Sequence, residues 1–124
     1  MKLIRPVFKT TYWTEHAKVK MRQYGLSKQK VLSIMRSPER CEIGIAPGTN
    51  ASMRTNKVFF REKQITLKKA WKPRKAPGEI WVMYRDTSEH RKIISAWRFP
   101  GVSKPGEEIP IPEEIRRELL ISEI

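Results

Sequence analysis

Residues 14–38, TEHAKVKMRQYGLSKQKVLSIMRSP, decide how the rest of the chain is read. Thr14 and Ser27 are residue types that cap helix N-termini, Gly25 is a helix stop, and Ser37-Pro38 is a second stop. Two short helices follow, joined within a few residues. Ala17, Met21 and Tyr24 recur at helical spacing in the first, and Val31, Leu32, Ile34 and Met35 cluster in the second, so each has one stripe to bury. Leu26 ahead of the Ser27 cap, with Val31 at the fourth helical position, has the arrangement of a hydrophobic staple. The brief connection predicts an antiparallel helical hairpin. Helices this short are marginal alone in water, so they need a sheet to cover.

Strand patterns flank this stretch. Glu79–Arg85 (EIWVMYR) and Lys92–Phe99 (KIISAWRF) are runs of β-branched and aromatic residues around the polar turn DTSEHR, and they predict a hairpin. Ile80, Val82 and Tyr84 fall on one face and Trp81 and Met83 on the other, as in central strands covered on one side by the helices. Arg40–Ile45 has a short β-like pattern, and the turn formers of residues 46–52, APGTNAS, predict a flexible lip beside any site. Residues 54–71 are strand-prone and basic, and KPRKAPG at 72–78 reads as a cationic loop. Residues 1–13 fit either a short edge strand or an arm.

Pro100-Gly101 ends the hairpin, and residues 100–112, with four of the nine prolines, should follow an irregular surface path. Pro112, Glu113 and Glu114 open a last helix whose apolar face is Ile115, Leu119 and Leu120. The expected fold is α+β: a helical hairpin on an antiparallel sheet of about four strands, with a C-terminal helix. It forms one domain, 1–124, with a core over about 12–100 and a Pro-rich extension plus terminal helix over 101–124.

The net charge is +13, with 26 Lys or Arg against 13 acids. Polyanions are therefore the first partners to consider, nucleic acid ahead of membrane. Residues 1–40 and 53–75 carry most of this excess, whereas residues 107–124 hold six Glu against Arg116 and Arg117. That acidic end either masks the basic face in cis or solvates a terminal helix. Cys41 stands alone, which fits a reducing compartment. No stretch has the length of a signal peptide or a bilayer span, so the expectation is a cytoplasmic protein without membrane contact.

His16 sits two residues after the Thr14 cap, where unpaired backbone amides disfavour the imidazolium and leave a neutral base. Lys20, one turn on, would depress it further and hold a phosphate. The bland alternative packs His16 on the sheet with one hydrogen bond. His90 falls in the polar turn, where solvation explains it. Arg54, Arg61 and Arg85 could stabilise a pentacoordinate phosphate if the sheet gathers them, with Tyr84 or Lys92 as an alternative proton carrier. Phosphate contacts are expected from Lys20, Lys57, Lys68, Lys69, Lys72, Arg74, Lys75 and Arg98, and Trp71, Trp81, Tyr84 and Trp97 could stack on unpaired bases. One Cys, two His and the single Asp86 supply no clustered metal ligands, and no phosphate loop or acyl-transfer nucleophile motif is present, so no cofactor is expected.

His16, Arg22, Gly25, Ser27, Val31 and Leu32, followed by EIWVMYRD and KIISAWRFPG, resemble the RelE/ParE-like toxin superfamily, and within it a poorly characterised family with a helix-borne histidine. The resemblance covers roughly residues 12–100. Tyr24 stands where an arginine commonly precedes the glycine, and the Pro-rich extension is a further departure. The resemblance implies a curved antiparallel sheet under a helical hairpin and a toxin-antitoxin setting. Some members of that superfamily cleave messenger RNA in the ribosome, some act on gyrase, and others have no known activity. The leading expectation here is action on RNA or the ribosome as a metal-independent endoribonuclease, with His16 as base. A binding module without turnover, or a basic face docking an acidic antitoxin-like protein, are the other expectations.

Overall fold

The computed structural model describes residues 10–56 and 78–121, with side chains to residue 119. In chain order the elements are strand β1 (Thr10–Trp13), helices α1 (Glu15–Tyr24) and α2 (Lys28–Arg36), strands β2 (Arg40–Ile43), β3 (Asn50–Thr55), β4 (Glu79–Asp86) and β5 (His90–Phe99), and helix α3 (Glu113–Ile121). Local chemistry sets the helix ends. Thr14 Oγ1 accepts from the Ala17 amide and Ser27 Oγ from the Lys30 amide, each at 3.0 Å. Gly25 closes α1 at φ 67°, a left-handed conformation that glycine adopts without Cβ strain.

The strand order is β1-β5-β4-β3-β2, and every neighbouring pair is antiparallel except β1 with β5, which is parallel. The fold is thus an α+β mix, but the expected antiparallel sheet of about four strands is corrected to a mixed sheet of five. The fifth strand, β1, is the edge strand that was one of the two readings of residues 1–13; its partner β5 lies far along the chain, so no local pattern announced the parallel pairing. A second correction concerns residues 46–52. Asn50–Ser52 belong to β3, because Ala51 and Met53 have an apolar surface to cover on Trp81 and Met83.

Both faces of the sheet are buried. Ala17, Met21, Leu26, Val31 and Ile34 pack with Ile80, Val82, Tyr84, Ile93 and Ala96 on one face. On the other, Ile109, Ile115 and Leu119 pack with Ala51, Met53, Trp81, Met83, Ile94 and Trp97. The reading of β4 and β5 as covered on one side is corrected: α3 covers the second face, which is why six successive residues of β4, Glu79–Tyr84, are buried. The irregular segment before α3 is fastened on the way. Trp97 Nε1 donates to the Pro110 carbonyl at 3.0 Å, and buried Glu79 accepts from the Ser103 amide at 2.9 Å and its hydroxyl at 2.6 Å.

Helix α1 continues along β5 where β1 stops. The Thr14 hydroxyl donates to the Ile93 carbonyl at 2.9 Å, and Arg98 Nε donates to the Tyr24 carbonyl at 2.8 Å, so both ends of α1 are tied to one strand. The β4–β5 register shifts between Met83 and Tyr84, which pair with Ser95 and Ile93. Ile94 is the extra residue of this bulge and packs in the α3-side core beside it. No described helix is long and apolar enough to cross a membrane.

Candidate nucleic-acid interface

Three strands deliver one row of side chains. Tyr12 of β1 pairs with Lys92 of β5, and Lys92 pairs with Arg85 of β4, so the three stand side by side on one face. His90 is two residues before Lys92 on the same strand and shares that face. With Thr87 these residues line a cleft of about 190 Å³.

The walls of the cleft are held in place. Arg85 Nη2 donates to the Pro47 carbonyl at 2.9 Å, and Lys92 Nζ lies 5.9 Å from the centroid of the Tyr12 ring. The turn below it is closed by Thr87, whose amide donates to the His90 carbonyl at 2.8 Å while its hydroxyl accepts from the His90 amide at 2.9 Å. Tyr12 is 53% exposed, so an aromatic surface stands open beside two cations and an imidazole. The arrangement suits a phosphate flanked by a sugar or base.

His16 is engaged elsewhere. Its Nε2 lies 3.0 Å from Ser95 Oγ, and its Nδ1 lies 3.5 Å from Glu118 of α3. Burial pushes its pKa below the ordinary value; Glu118 works against that and Lys20 adds to it. A hydroxyl, an imidazole and a carboxylate in line have the composition of an activated nucleophile. Ser95, however, is 0% exposed, so nothing can reach its oxygen, and the three groups serve to join β5, α1 and α3.

Lys20 requires a correction. Expected on a phosphate, it is buried against α3, with Nζ 2.9 Å from Glu114, 3.1 Å from Glu118 and 3.1 Å from Gln23. Burial opposes its charge, but the two carboxylates outweigh that and raise its pKa, while Lys20 and Gln23 hold the Glu114 carboxyl below its usual range. Masking of a basic residue in cis is therefore real for Lys20.

The other expected residues are dispersed. Arg54 donates to Ser33 of α2 at 3.0 Å, on the sheet face opposite the cleft. Arg98 reaches the Tyr24 and Gly25 carbonyls, where its charge meets the negative end of α1. Tyr84 is buried on the α1 side under Arg91, which is paired with Asp86. Trp81 and Trp97 are fully buried and stacked with centroids 6.5 Å apart, so they cannot receive bases. Arg61, Lys57, Lys68, Lys69, Lys72, Arg74, Lys75 and Trp71 lie outside the described residues.

The fold thus joins Arg85 and Lys92 of the expected set, and adds Tyr12, Thr87 and His90. Their only sequence signal is period two along β5, which puts His90 in phase with Lys92; the parallel pairing that brings Tyr12 has none. Comparison with known protein families, curated proteins and solved structures finds no match to this chain.

Proposed function

We propose that this is a basic RNA-binding protein of the RelE-like kind, a cytoplasmic toxin-type endoribonuclease whose cleft holds and cleaves a phosphodiester. The same reading makes α1 and α2 the helical hairpin over a curved sheet and gives the protein the ribosome and an acidic antitoxin-like chain as partners. One observation carries it: Tyr12, Arg85, Thr87, His90 and Lys92, from three strands and a turn, line one open cleft in a protein of net charge +13.

The chemistry follows from the side chains. The His90 imidazole takes the proton of a ribose 2′-hydroxyl, the 2′-oxygen bonds to phosphorus, and the bond from phosphorus to the 5′-oxygen breaks. Lys92 returns a proton to that leaving oxygen, and Arg85 faces the charge that builds on the phosphate. The products are a 2′,3′-cyclic phosphate and a free 5′-hydroxyl. Loss of one acid–base group costs about 100- to 10,000-fold.

Purified protein incubated with messenger RNA, with and without ribosomes, tests this beside His90→Ala and Arg85→Ala. Cleavage by the wild type with loss in both variants supports it. Equal cleavage by all three, or none by any, removes the enzymatic part. The second reading is binding without turnover, and the commitment of His16 to Ser95 and Glu118 favours it, because the cleft then holds a single imidazole. Under that reading RNA binding weakens steeply with salt and no cyclic phosphate forms.

A further inference from the structure

A second basic hollow lies at the junction of α1 and α2. Lys18, Arg22 and Lys28 surround a floor of Met21 and Leu26 in a groove of about 400 Å³. The floor is apolar and each of its two residues is 5% exposed. Lys18 meets Glu15 at 3.2 Å on the surface, and among the described residues no carboxylate lies within ion-pair reach of Arg22 or Lys28. The first turn of α2 carries no acid, so no carboxylate of that turn offsets Lys28.

The groove and the cleft meet across a single strand. β1 is at one edge of the sheet, and its successive residues point to opposite faces. Tyr12 lines the cleft beside Lys92, whereas the Trp13 ring lies under Lys28 Nζ, 5.3 Å from its centroid. One residue step of the edge strand therefore separates a cation of the groove from the aromatic wall of the cleft.

We infer that the groove of Lys18, Arg22 and Lys28 is a second phosphate site, and that one unpaired RNA strand crosses the β1 edge to occupy groove and cleft together. The inference rests on the RNA-binding reading of the cleft. A duplex is too stiff to turn round a sheet edge within a few nucleotides, whereas a single strand bends freely and can rest sugar or base on Met21 and Leu26. A strand long enough to reach both sites gains phosphate contacts that a short one lacks.

Fluorescence anisotropy across a salt series, with a labelled trinucleotide and a labelled single-stranded dodecamer of RNA, tests this on the full chain. The triple variant Lys18→Gln, Arg22→Gln, Lys28→Gln is expected to bind the trinucleotide as the wild type does. For the dodecamer its affinity should fall at least about tenfold, and the slope of log affinity on log salt should shrink by about 2, at roughly 0.7 per phosphate contact. Arg22→Gln alone should move the dodecamer part of the way, and thermal melting checks that each variant is folded. Unchanged dodecamer binding by a folded triple variant overturns the groove and leaves the cleft standing. Failure of both oligonucleotides to bind the wild type removes the RNA reading and the groove with it.

Discussion

Replacing Lys20 by alanine should cost about 2 kcal/mol of folding stability and leave the salt dependence of the proposed RNA binding unmoved. Lys20 is 4% exposed, and its ammonium is shared by Glu114, Glu118 and Gln23. Truncating one member of a fully buried pair costs about 3–5 kcal/mol, and exposed pairs are worth roughly 0–1. Here the carboxylate side chains of Glu114 and Glu118 are 50% and 47% exposed and return to water once the lysine is gone, which places the value between those limits. A loss of that size lowers the folded-to-unfolded ratio about 30-fold and the melting temperature by roughly 8 °C in a domain of this length. Urea unfolding followed by tryptophan fluorescence measures it, since Trp81 and Trp97 are buried in the folded chain and exposed by unfolding. Lys18→Ala, whose partner Glu15 is 88% exposed, is the reference and should lose less than about 0.5 kcal/mol. If Lys20→Ala costs no more than Lys18→Ala, or flattens the salt slope of RNA binding, the internal role of Lys20 is wrong.

Three further outcomes follow. Because burial holds the His16 pKa below its ordinary 6.5, the unfolded chain binds the proton more readily, so stability is full above that pH and falls as pH drops through the folded value. Glu118 and Lys20 face the ring, and His16→Gln should flatten this part of the pH–stability curve; an unchanged curve would show that the ring does not couple to folding. Ile115→Ala removes a fully buried side chain between α3 and the Trp81–Trp97 pair and should cost roughly 3 kcal/mol, read by urea midpoint; a loss below about 1 would mean that α3 does not seal that core. Gly25→Ala meets nothing within 4 Å, so its left-handed φ alone sets a cost of about 1 kcal/mol, whereas a Cβ on Gly44 strikes the Thr49 side chain and must cost more. The reverse order by thermal melting would contradict this account.

The caps, the glycine stop and the alternation in β4 were legible because each depends on residues within a few positions of one another. Thr14, Ser27 and Gly25 act as read, and Ile80, Val82 and Tyr84 part from Trp81 and Met83 onto opposite faces. The candidate site was legible in part. Arg85 and Lys92 stand together because hairpin pairing is local, but His16, Arg54 and Lys20, which also looked available for phosphate chemistry, were each taken by another element.

The sequence alone determined the helices, the β4–β5 hairpin and the excess of positive charge, since these follow from neighbouring residues and simple composition. Tertiary structure decided which cations remain open to a ligand. Helix α3 claimed Lys20 and His16 through its glutamates, and β1 brought Tyr12 to Lys92 by a parallel pairing across most of the chain. Whether a charged side chain faces solvent or a carboxylate depends on what packs over it, and that partner here comes from residues some ninety positions away.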